Sequence, residues 1–139
     1  MFDVICVICY HITDASYFRL FKGNNGEGDH ICTVPLDPVS ATEHIMKEKW
    51  GCQNDEARSV VICNGRKETT ILFYSGSYGP STSESFARII VSKTMEGCIT
   101  IPRFDMTANL GANEELAVFG EYATTLGGDV SSFKILFWQ

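Results

Sequence analysis

The chain has 139 residues, 45% of them apolar and 20% charged, which fits one soluble globular domain over residues 1–139 and excludes a disordered chain. Its formal net charge of −6 and pI near 4.9 repel phosphate backbones, and the Lys and Arg residues form no run, so no nucleic-acid partner is expected. No apolar stretch approaches the roughly 18 residues of a membrane span, so no membrane span is expected.

The chain opens on Val-Ile-Cys-Val-Ile-Cys, with His11 just behind. A metal knuckle needs Cys-x-x-Cys on a tight turn. Val and Ile as spacers favour a strand instead, in which Cys6 and Cys9 point to opposite faces. Residues 2–12 therefore predict a strand buried on both sides, with no metal site. The apolar start contains Asp3 and lacks a preceding basic residue, unlike a secretory signal.

Short β-branched and aromatic runs follow at residues 17–21, 30–36, 58–63, 69–74, 86–92, 98–101, 115–119 and 132–138, separated by Gly, Asn, Ser and Pro. Asn64-Gly65 between two of them predicts a hairpin. The expected fold is mainly β, an antiparallel sandwich or flattened barrel of about eight or nine short strands. One helix is expected near residues 40–50. Ser40 and Glu43 form a capping box, Ile45, Met46 and Trp50 share a face, and Gly51 supplies the stop.

There are six cysteines, most of them inside apolar runs: Cys6, Cys9, Cys32, Cys52, Cys63 and Cys98. Free Cys packs as a small hydrophobe. The expectation is a cysteine-rich core without disulfides, in an intracellular protein of the reducing cytoplasm.

Residues 21–30 form the richest polar loop. Asn24, Asn25, Glu27 and Asp29 offer hard oxygen ligands of the kind calcium takes, although the spacing does not match the EF-hand template. A solvated hairpin loop is the simpler reading. His30 and Cys32 alternate onto one strand face, the parts of a small His/Cys enzyme site, but no helix start or cationic neighbour activates the thiol. No P-loop, Gly-x-Ser-x-Gly or other catalytic constellation is present. The loop carrying Tyr74, Ser77 and Tyr78 mixes aromatic area with adaptable hydroxyls, as binding loops do, although a hairpin whose tyrosines fold back onto the core is the simpler reading.

At the C-terminal end, Asp-Val-Ser-Ser-Phe-Lys-Ile (129–135) resembles the Ser-bearing closing strand of βγ-crystallin-like Greek keys. The aromatic corner that accompanies it in that family is not met, and no ligand residue is carried across.

The leading expectation is a non-enzymatic, homo-oligomeric binding or assembly protein. Its loops at Asn24, Asn25, Glu27, Asp29, His30, Tyr74, Ser77 and Tyr78 would contact a small molecule, glycan or protein, with no catalytic residue, metal or cofactor assigned. A calcium-stabilised β domain and a small His/Cys enzyme are the alternatives.

Overall fold

The computed structural model describes residues 15–36, 44–45, 50–52, 56–75, 86–104, 106–121 and 130–137. They hold ten strands, one only two residues long: β1 (Tyr17–Phe21), β2 (His30–Pro35), β3 (His44–Ile45), β4 (Ser59–Cys63), β5 (Thr69–Tyr74), β6 (Phe86–Val91), β7 (Cys98–Ile101), β8 (Ala108–Leu110), β9 (Leu116–Glu121) and β10 (Ser132–Phe137). The described helical content is one 3-10 turn at Asn24–Gly26. Every pairing is antiparallel. A four-stranded sheet runs β2-β1-β4-β7 and a six-stranded sheet runs β3-β10-β5-β6-β9-β8, giving the expected mainly β sandwich and not a closed barrel.

Strand alternation explains why the sheets stack. In β1, Phe18 and Leu20 point inward; in β4, Val60 and Ile62; in β5, Ile71 and Phe73; all six are fully buried. The Phe18 ring meets Phe73 and Phe133 of the other sheet edge-on, each at 5.4 Å between centroids. Phe104 stands 5.0 Å from Phe73. These rings lock one sheet onto the other, since each buries a large apolar area and edge-to-face contacts add to it.

Asn64-Gly65 does not make a hairpin. Strand β4 already has β1 and β7 on its two sides, so the chain crosses to the other sheet and β5 pairs with β10 and β6. Asn64 takes the left-handed conformation the dipeptide promised, with φ of 53°. It is pinned to the start of β7: its N–H donates to the Gly97 carbonyl (2.8 Å), and Gly97 N–H donates to its Oδ1 (2.9 Å).

Two residues of the expected helix at 40–50 are instead the strand β3. His44 and Ile45 pair with Phe133 and Ser132, supplying a partner to the otherwise open side of β10. That tertiary pairing outweighs the local helix signal. Residues 40–43 and 46–49 lie outside the described residues, as do the expected strand at 2–12 and with it Cys6, Cys9 and His11.

The expectation of a cysteine-rich core without disulfides is overturned. Cys32 bonds to Cys52 and Cys63 to Cys98. The first bridge is buried and fastens β2 to residues 50–52. The second joins residues directly opposite each other on β4 and β7, with Cα atoms 4.0 Å apart. An apolar neighbourhood does not distinguish the two states, because a cystine is itself apolar. Disulfides persist in oxidising compartments. The assignment to the reducing cytoplasm is therefore corrected to an oxidising, extracellular or secreted environment. No helix among the described residues is long and apolar enough to cross a membrane.

Candidate functional site

Each strand of the six-stranded sheet puts every second side chain on its outer face. Register aligns these into rows. Ser132, Tyr74 and Phe86 form the first, Lys134, Leu72, Arg88 and Phe119 the second, and Leu136, Thr70, Ile90 and Ala117 the third. Leu72, Phe86, Ile90 and Leu136 are half-buried there, although they face away from the core. Together with Thr70, Tyr74 and Arg88 they line a half-open groove of about 420 Å³. That volume lies within the range of clefts that take small molecules.

Arg88 is the charged member of the lining. Its guanidinium lies 4.9 Å from the centroid of Phe119, the exposed large hydrophobic among the described residues. This cation–π contact favours a position of the guanidinium beside the groove. The described ion pair in the chain is elsewhere, between Lys22 and Glu56 (3.1 Å). No described carboxylate pairs with Arg88.

Of the expected site residues that are described, only Tyr74 belongs to this groove. It ends β5, is buried, and its carbonyl accepts from Ser131 N–H (2.8 Å). Ser77 and Tyr78 lie outside the described residues. Asn24, Asn25, Glu27, Asp29 and His30 are exposed on the hairpin between β1 and β2, in the other sheet.

That hairpin is fastened through its backbone. Lys22 N–H donates to the Asp29 carbonyl (3.0 Å), Gly23 N–H to the Glu27 carbonyl (2.9 Å), and Glu27 N–H to the Asn24 carbonyl (3.1 Å). The buried Ser59 hydroxyl clips the loop from below. It accepts from Gly26 N–H (2.8 Å) and donates to the Gly23 carbonyl (2.5 Å). The carbonyls of Gly23, Asn24, Glu27 and Asp29 thus each accept an internal hydrogen bond. Among the described residues, no three His, Cys, Asp or Glu side chains come together in a way that could hold a metal ion.

His30 and Cys32 do not share a face. Leu20 pairs with Cys32 but Phe21 pairs with His30, so Ile31 is an extra residue in a bulge. The bulge turns His30 outward while Cys32 stays inward in its disulfide. His30 Nε2 hydrogen-bonds to Thr33 Oγ1 (2.9 Å) and its ring packs edge-on to Phe21. The Arg19 guanidinium covers the other end of that group, 5.2 Å from the Phe21 centroid.

Sequence reasoning missed the groove because its residues read as ordinary strand. The available signal was the run Thr-Thr-Ile-Leu-Phe-Tyr in β5, which sets Leu72 between Thr70 and Tyr74 on the outer face and carries no charged residue there. Compared with models of known protein families, with curated proteins and with solved structures, the chain gives no match.

Proposed function

We propose that this chain is a disulfide-bonded β-sandwich binding domain that works in an oxidising environment and takes its ligand in the groove over β10, β5 and β6. The observation that carries the reading is the set of half-buried apolar side chains on an outward face, around a cleft of about 420 Å³. Apolar surface that is concave and left open on a folded domain marks a binding site more often than chance exposure does. The test is a titration with the uncharged dye phenylnaphthylamine, which fluoresces in apolar surroundings. Saturable binding that is lost in Ile90→Trp, a variant that fills the groove, supports the reading. No binding by the wild type, or binding that Ile90→Trp leaves intact, removes it.

A second reading is self-association through β10. Strand β3 pairs with Ser132 and Phe133, and no described strand pairs with Lys134–Phe137 on that side. An open strand edge is a template for a second chain. Sedimentation equilibrium decides it: a dimer dispersed by Leu136→Pro supports pairing at this edge, and a monomer at all concentrations ends it.

A further inference from the structure

We propose that the groove takes a small amphipathic anion, a flat apolar body bearing one carboxylate or sulfonate, with Arg88 binding the anion. This rests on the reading of the groove as the binding site and adds the chemical class of its ligand.

Three observations carry it. The floor is apolar, built from Leu72, Ile90 and Leu136 with Phe86 at one side. The charged side chain in the lining is a cation, in a chain whose net charge is −6. The next position along its row on the far side of Leu72 is Lys134, also a cation. Arg88 in the lining and Lys134 further along its row put positive charge beside an apolar cleft, and such a cleft is complementary to an anion with an apolar body.

Arg88 suits that role. A guanidinium stays charged at every physiological pH and presents a planar fork that matches the two oxygens of a carboxylate or sulfonate. The Phe119 ring 4.9 Å away offsets part of the side-chain freedom that Arg88 loses on binding. The groove is half-open, which lets the anionic end stay partly hydrated while the apolar body leaves water.

The test compares two dyes with one apolar body, anilinonaphthalene sulfonate and its uncharged parent phenylnaphthylamine, on the full oxidised chain. The expected result is that the sulfonate binds more tightly than the parent. Arg88→Gln should weaken the sulfonate by about ten-fold and leave the parent unchanged. Arg88→Lys should restore part of the loss, because the charge returns without the fork. Leu72→Glu should abolish sulfonate binding, by placing a negative charge in the floor. Because such dyes also bind loosened cores, each variant is checked for an unchanged near-ultraviolet dichroism spectrum. Equal affinity for the two dyes, or a sulfonate indifferent to Arg88→Gln or to Leu72→Glu, overturns the anion assignment while leaving the groove as an apolar site. If neither dye binds, the binding reading falls, and the anion assignment with it.

Discussion

Cys63 and Cys98 face each other across β4 and β7, and their disulfide ties a buried residue to an exposed one. Cys32 and Cys52 are both buried. Thiol–disulfide exchange needs access to a sulfur. Mild reductant applied to the folded protein should therefore open Cys63–Cys98 first, and mass spectrometry of alkylated fragments would show that order. Opening of Cys32–Cys52 first would mean that the core breathes more readily than the sheet edge.

Both bridges should contribute to stability. They close loops with sequence separations of 20 and 35 residues. The chain-entropy relation gives about 3 and about 4 kcal/mol for such loops. Each Cys-to-Ser double variant should therefore lose a comparable share of unfolding free energy in urea.

Ser59 is the clip beneath the β1–β2 hairpin. Replacing it with Ala leaves the Gly26 N–H and the Gly23 carbonyl without their partner. Ser59→Ala should cost about 1–3 kcal/mol and raise amide exchange at Gly26. Unchanged exchange there would show that the loop does not depend on the hydroxyl.

Asn64 has two separable roles. Ala at this position loses the bonds to Gly97 N–H (2.9 Å) and the Ala15 carbonyl (3.1 Å), and it must also hold a φ of 53°. Asn64→Gly loses the bonds but tolerates the backbone. The Gly variant should be more stable than the Ala variant by about 1 kcal/mol, measured by urea unfolding.

The exposed oxygens of the β1–β2 hairpin set a fifth test. With the carbonyls of Asn24, Glu27 and Asp29 already accepting internal bonds, adding calcium should leave Tm where it is. A rise in Tm that chelator reverses would bring the calcium-stabilised reading back.

The strands were legible in the sequence because their β-branched and aromatic residues recur in short runs. Residues 17–21, 69–74 and 98–101 match the observed strands residue for residue. Strand β8 was not legible, since Ala-Asn-Leu is too short to form a pattern. Strand β3 was hidden inside a segment whose local signals spell helix, and only the need of β10 for a neighbour reveals it. The disulfides were hidden because Cys63 and Cys98 become neighbours only once β4 and β7 are paired. The groove was hidden for the same reason: Leu72, Arg88 and Leu136 are far apart in the chain and meet only when β10, β5 and β6 are laid side by side.

In β5 and β6, core and groove residues alternate one by one along the same strands: Ile71 and Phe73 point in, Leu72 and Tyr74 point out, and Ile89 points in between Arg88 and Ile90. Inserting a single residue within either strand would exchange these roles beyond the insertion point. A charged guanidinium would be driven toward the core and a core isoleucine toward solvent. Length changes in these strands are thus far more damaging than substitutions in the groove, and diversification of ligand preference is confined to exchanges at constant length.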